Sequence, residues 1–154
     1  MTATVHAARL LAAALIACAL PGASAFAADA TASAAAPAAS TKERAIFAVT
    51  DADPQKWAFT LGNIGNALDG LGADHADIEL VVYGPAIAML KKDSPVADKL
   101  AAMLGRGVRV AACQNSMRGF KIEQADLVPG VTPVPAGVVE LIRREHAGYA
   151  YVRS

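Results

Sequence analysis

The stretch Val108-Arg109-Val110-Ala111-Ala112-Cys113-Gln114-Asn115-Ser116 decides the fold, because its character changes at one residue. Val108 to Cys113 reads as an apolar strand, and the polar Gln114-Asn115-Ser116 reads as the start of a helix. Cys113 therefore closes a strand at its carboxyl end, the edge of open α/β sheets where ligands usually bind. A helix N-terminus at that edge stabilises an anion and so lowers the pKa of a thiol. The other reading is a buried cysteine that packs as a small hydrophobe. A single cysteine leaves both readings open.

Outward from this edge, strands and helices alternate. Residues 44–50 read as a first strand. Asp53-Pro54 then supplies an N-cap followed by proline at the first helical position. Trp57, Leu61, Ile64, Leu68 and Leu71 form one apolar helical stripe, stopped by Gly70 and Gly72. Residues 77–83 are a second strand, and Gly84-Pro85 turns into a short helix through Leu90. Ser94-Pro95 caps a helix whose apolar face is Val96, Leu100, Met103 and Leu104. The strand ending at Cys113 is third, followed by a short helical piece interrupted near Gly119. Residues 131–134 make a fourth strand and 136–147 a helix with Val138, Leu141 and Ile142 inward. Residues 149–152 are a fifth strand. Strands rich in Val, Ile and Ala, separated by helices, predict an α/β fold with a mainly parallel five-stranded sheet covered on both faces.

The amino-terminal part reads as targeting rather than structure. Residues 1–27 have the form of a secretory signal peptide: Arg9 supplies the basic region, Leu10 to Leu20 the apolar core, and Ala25-Phe26-Ala27 the cleavage site. The apolar run is shorter than the roughly 20 residues that a membrane span needs. Leu15-Ile16-Ala17-Cys18 resembles the lipobox of bacterial lipoproteins, so a lipid anchor at Cys18 is the alternative to cleavage after Ala27. Either route exports the chain, to the periplasm or an equivalent oxidising compartment. Either also leaves Cys113 without an intramolecular disulfide partner, since the chain has 2 cysteines.

Residues 28–43, rich in Ala, Ser, Thr and Pro, read as a flexible linker, and 44–154 as one compact domain. The 55% apolar content is inflated by the alanine-rich leader and does not indicate a membrane protein. Basic and acidic residues balance at 14 each, with no basic cluster, which gives no support to nucleic-acid binding.

Few residues announce chemistry. His6 lies in the leader, and His75 and His146 are isolated, so no metal-ligand spacing exists and no metal or other cofactor is expected. No phosphate-binding glycine motif or serine elbow is present. Segments that follow parallel strands should converge at one edge: 50–53, Tyr83-Gly84-Pro85, and Cys113-Gln114-Asn115-Ser116. Asp51 either presents a carboxylate there or helps to start the helix, and capping explains Asp53. Tyr83 and Gly84 either line a pocket beside the thiol or finish the strand. Asn115 either orients a sulfur-bound group or caps the next helix. Asn63 and Asn66 lie off the apolar stripe, and helix geometry turns position 66 toward solvent or toward a neighbouring subunit.

Residues 107–117 (GVRVAACQNSM), together with 127–131 (LVPGV), 134–141 (VPAGVVEL) and 148–152 (GYAYV), resemble the DsrE/DsrF-like family of sulfur-relay proteins. The ending fits its exported, single-domain branch, and the likeness extends from about Arg44 onward, Asn63 and Asn66 included. The resemblance implies a three-layer α/β/α domain, assembly into homo-oligomers (trimers or hexamers), and a cysteine, here Cys113, that carries sulfur as a persulfide. Its site would comprise Cys113 with Tyr83, Gly84, Gln114, Asn115, Ser116, Asn63 and Asn66. Its partners would be a sulfur donor and an acceptor, each a protein or a small thiol. Relatives often carry His-Gly where this chain has Tyr83-Gly84. The chemistry suits one cysteine: a thiolate takes a donor's outer sulfur and passes it to an acceptor thiol. A disulfide oxidoreductase would need Cys-x-x-Cys, which is absent. The competing expectations are a ligand-binding or assembly subunit with an inert thiol, and a redox sensor whose thiol pairs between subunits.

Overall fold

Asp53 opens the first helix as its sequence dictates, accepting a hydrogen bond from Gln55 N–H at 2.9 Å ahead of Pro54. The structure, a computed structural model, describes residues 42–153. The expected signal peptide and Cys18 lie outside the described residues, as does the expected linker except for Lys42 and Glu43. Glu43 already pairs with Ala76 as the first residue of the sheet.

The elements are β1 (Glu43–Val49), α1 (Pro54–Leu71), β2 (Ala76–Val82), α2 (Ala97–Gly105), β3 (Arg109–Cys113), α3 (Gln114–Gly119), β4 (Thr132–Val134), α4 (Gly137–His146) and β5 (Ala150–Arg153). A 3-10 segment, Gly84–Leu90, follows β2. The strands form one sheet in the order β4-β3-β2-β1-β5, every pair parallel. The expected α/β fold is therefore present. Ser94 acts one turn earlier than expected, closing a turn onto Val96 and Ala97 ahead of α2.

The two faces of the sheet differ in kind. On one, Phe47, Val49, Ile78, Leu80, Val82, Val110 and Ala112 pack against Trp57, Leu61, Ile64 and Leu68 of α1 and Leu100 of α2. On the other, Ile46, Val81 and Ala111 meet Leu141 of α4 and Tyr149. Toward its amino end this second face is ionic. Glu79, 2% exposed, receives Arg109 Nε at 3.1 Å and lies 2.8 Å from Arg144 Nε. Arg144 Nε is also 2.8 Å from Glu140 Oε1, and Arg109 Nη1 donates to Asp77 at 2.6 Å. Tyr149 donates its hydroxyl proton to Asp77 at 2.5 Å and accepts from Arg109 Nη2 at 2.7 Å. The guanidinium groups of Arg44, Arg109 and Arg144 stand 5.9, 5.7 and 5.5 Å from the Tyr149 ring centre.

This ionic patch explains two corrections. Val138 and Ile142, expected inward, are 52% and 48% exposed. The stripe of α4 that faces the sheet is Gly137, Glu140, Leu141 and Arg144, because a charged surface is covered by charged side chains. Leu71, expected on the α1 stripe, is 42% exposed. It is the last residue of α1, next to the Gly72 cap and beyond Leu68, the last buried residue of the stripe.

Burial pushes the Glu79 carboxyl up, against the pull of Arg109 and Arg144. At Asp77 burial acts the same way, but the hydrogen bonds from Tyr149 and Arg109 outweigh it and hold the carboxyl below its usual range. The stabilisation from Asp77 is thus present above the unfolded carboxylate pKa and is lost as the pH falls through the folded one. Asp77→Asn should flatten the acid limb of a stability–pH curve measured by urea unfolding. Glu79→Ala leaves two arginines facing a buried gap and should cost about 3 kcal/mol in the same assay.

Candidate functional site

The site begins where β2 stops. Tyr83 N–H still donates to Val49 O at 3.2 Å, and Gly84 then takes φ +62, a left-handed conformation that glycine adopts without strain. This turn aims Gly84 N–H at Ser116 Oγ, 2.7 Å away. On the neighbouring strand, β3 ends at Cys113, which serves as the N-cap residue of α3. Cys113 lies one residue beyond the Val82–Ala112 pair, as Tyr83 does on β2. The two side chains therefore share the α4 face of the sheet, one strand spacing apart, about 4.8 Å.

The Cys113 sulfur is surrounded by donors. The Ser116 hydroxyl and the backbone N–H groups of Gly137, Ser116 and Asn115 stand near enough to favour its charged form. Burial raises the thiol pKa, since the residue is 5% exposed, but these donors outweigh burial and hold it below its ordinary value. Gly84 N–H thus holds the Ser116 hydroxyl oxygen in place beside the thiol.

Gly137, the first residue of α4, is the tightest part. A Cβ built on it would lie 3.0 Å from Tyr83 Cβ and 3.2 Å from Tyr83 Cγ. Glycine leaves the Tyr83 ring room against the helix start, where a Cβ would press on it. Burial first, then the neighbouring Tyr151 and Cys113, push the Tyr83 phenol up, so it stays a neutral donor. Beyond Tyr83 a cavity of about 370 Å³ opens along the carboxyl edge, over the ends of β1 and β5.

The expected site residues divide accordingly. Tyr83, Gly84, Ser116 and Cys113 come together, and Asn115 joins through its backbone. The Asn115 side chain does not cap α3; it accepts a hydrogen bond from Arg118, because Cys113 already occupies the capping position. Gln114 is exposed. Asn63, half-buried, and Asn66, exposed, sit on α1 and do not line the cavity. Asp51 pairs with Lys56 at 2.9 Å, and its carbonyl accepts from Trp57 Nε1 at 2.6 Å. Gly137, Tyr151 and Arg153 were not anticipated. Gly137 was accessible to the same reasoning that found the others, because it too follows the end of a parallel strand, β4.

Two properties bound the chemistry. Among the described residues no cluster of His, Cys, Asp and Glu could hold a metal, and no helix is long and apolar enough to cross a membrane. His75 precedes β2 and His146 ends α4, so both lie at the amino edge of the sheet, opposite the thiol.

The sequence profile of the DsrE/DsrF-like family matches residues 24–153. The chain belongs to that family. At family level, membership points to sulfur relay. A protein of unknown function from Methanobacterium thermoautotrophicum, MTH1491, is 30% identical with a TM-score of 0.70, over 73% of this chain and 100% of that one. The ychN protein from E. coli is 18% identical with a TM-score of 0.61, over 73% of this chain and 99% of its own. A conserved protein of unknown function from Bacteroides thetaiotaomicron, BT1422, is also 18% identical with a TM-score of 0.58, over 73% and 95%. These last two share the fold. No curated protein matches the chain.

For this DsrE-family thiol, alkylation by iodoacetamide should follow a pH profile with its midpoint below the ordinary cysteine value of about 8.5. Ser116→Ala should move that midpoint upward. Gly137→Ala should do so too, by displacing Tyr83 and the helix start, and should cost about 1–3 kcal/mol in overpacking.

Proposed function

We propose that this chain is an exported sulfur carrier in which Cys113 accepts a sulfane sulfur as a persulfide and hands it to an acceptor thiol. The observation that carries the reading is the donor-lined sulfur of Cys113 at the carboxyl edge, in a chain of the DsrE/DsrF-like family. The Cys113 thiolate attacks the donor's outer sulfur, and the donor's remaining fragment leaves with the bonding pair. An acceptor thiolate then attacks the outer sulfur of Cys113-S-SH, and the Cys113 thiolate departs. The N–H groups of Gly137, Ser116 and Asn115 stabilise that thiolate both as nucleophile and as leaving group. With tyrosine where relatives often carry histidine, no imidazole stands at the thiol among the described residues. Hydrogen bonding, not a general base, supplies the thiolate.

Export through the signal at residues 1–27 is part of the proposal, and N-terminal sequencing of the periplasmic protein should find Ala28 first. Assembly into a trimer or hexamer is part of it too. Val138, Val139 and Ile142, at 52%, 42% and 48% exposure, form an apolar strip on α4 that supports association.

One observation favours a rival reading, a binding or assembly subunit with an inert cysteine: Cys113 is 5% exposed. Intact-mass measurement after incubation with persulfide or thiosulfate donors decides between them. The carrier gains one sulfur atom, lost in Cys113→Ser. A thiol that gains none, and that iodoacetamide labels only after denaturation, would overturn the carrier reading.

A further inference from the structure

The cavity beside Tyr83 carries a charge pattern that the thiol chemistry alone does not use. Lys56, Arg153 and Asp51 line it, with the hydroxyl-bearing Thr60, Tyr83 and Tyr151. Asp51 is already paired with Lys56 at 2.9 Å, and among the described residues no carboxylate pairs with Arg153. The cavity therefore holds one cation in excess, on the side chain best suited to grip an oxyanion at two points.

Register fixes the distance to the thiol. Arg153 pairs with Ala48 and Tyr151 with Ile46, so both project on the α4 face, the face of Tyr83 and Cys113. Thr50, at the cavity's rim, stands about two strand spacings from Cys113, and Arg153 on β5 about three, roughly 14 Å between backbones, a gap that the long arginine side chain shortens. A small molecule with its charged end in the cavity can thus present a sulfur to Cys113 past the Tyr83 ring.

We propose that this cavity binds the anionic end of the small molecule that loads Cys113: a compact oxyanion, sulfonate or carboxylate, a few bonds from a sulfane sulfur. The inference rests on the carrier reading and names its substrate class. With thiosulfate, the Cys113 thiolate bonds to the outer sulfur, the sulfur–sulfur bond breaks, and sulfite leaves with the electron pair. With a carboxylate-bearing persulfide the leaving group is the parent thiolate, and the transferred sulfur remains as the Cys113 persulfide. Neither route needs an external oxidant or reductant. Arg153 holds the anion, and Tyr83 and Tyr151 donate their hydroxyl protons to it.

The test follows Cys113 loading by intact mass against the concentrations of thiosulfate, mercaptopropionate persulfide and the uncharged mercaptoethanol persulfide. The anionic donors should half-saturate at about tenfold lower concentration than the uncharged one, and sulfate should compete with them. Arg153→Gln should raise their half-saturation about tenfold with little change in maximal rate, and Arg153→Lys should restore part of it, as for the loss of one charged hydrogen bond. Loading by thiosulfate alone identifies the sulfonate as the anion, and loading by mercaptopropionate persulfide alone the carboxylate. Equal use of charged and uncharged donors, or an unchanged half-saturation in Arg153→Gln, overturns the inference and leaves the carrier reading standing. If no donor loads Cys113, sulfate titration followed by NMR separates the two ideas. Saturable shifts at Tyr83 and Tyr151 that vanish in Arg153→Gln keep the anion site while the carrier reading falls; their absence overturns the site as well.

Discussion

The close packing of Tyr83 against Gly137 is the contact on which the site depends, because it requires three loops to meet. The end of β3 must present the sulfur, the start of α4 must meet the Tyr83 ring at Gly137, and the end of β2 must carry that ring beside the sulfur. The space left for Tyr83 is that of a hydrogen atom in place of a methyl group. Gly84 then contributes from the same turn by bonding Ser116, so one strand end both packs the helix start and orients the hydroxyl that serves the sulfur. The site is tuned by backbone, and that suits a thiolate: N–H donors in fixed positions need no reorganisation when charge appears.

The layer that holds this contact is unlike the layer behind the sheet. Behind it, α1 and α2 bury a continuous apolar surface that supplies the bulk of the hydrophobic stabilisation. In front, α4 covers the described sheet largely with polar chemistry, Glu140 and Arg144 meeting Glu79 and Arg109. A buried ion network costs desolvation, so it is a poor source of raw stability and a good source of fixed geometry. Its outward side is the apolar strip of Val138, Val139 and Ile142, the reverse of an ordinary amphipathic helix on a globular core.

That inversion separates what could be read in the sequence from what could not. The strands were legible because parallel strands buried on both faces are apolar runs, and the edge residues Tyr83, Gly84, Cys113 and Ser116 followed from where those runs stop. Hydrophobic periodicity misplaced α4, since it presumes that the face turned inward is the apolar one. Of the two readings of Asn115, capping is not realised, because Cys113 holds that position itself. Arg153 and Tyr151 were invisible for a topological reason. The last strand returns to the side of β1 away from β2, and nothing local in residues 149–152 specifies that neighbour. Asn66 is exposed on α1, as helix geometry expects, and neither it nor Asn63 lines the cavity.

The position of α4 joins distant chemistry. Gly137, Glu140 and Arg144 lie on one helical stripe, and the first and last are about 10 Å apart along the axis. The helix behaves as a strut, anchored to Glu79 near one end and meeting the Tyr83 ring at the other. The start of α4 at the carboxyl edge is therefore held in place from the middle of the sheet, by ion pairs that never touch the thiol.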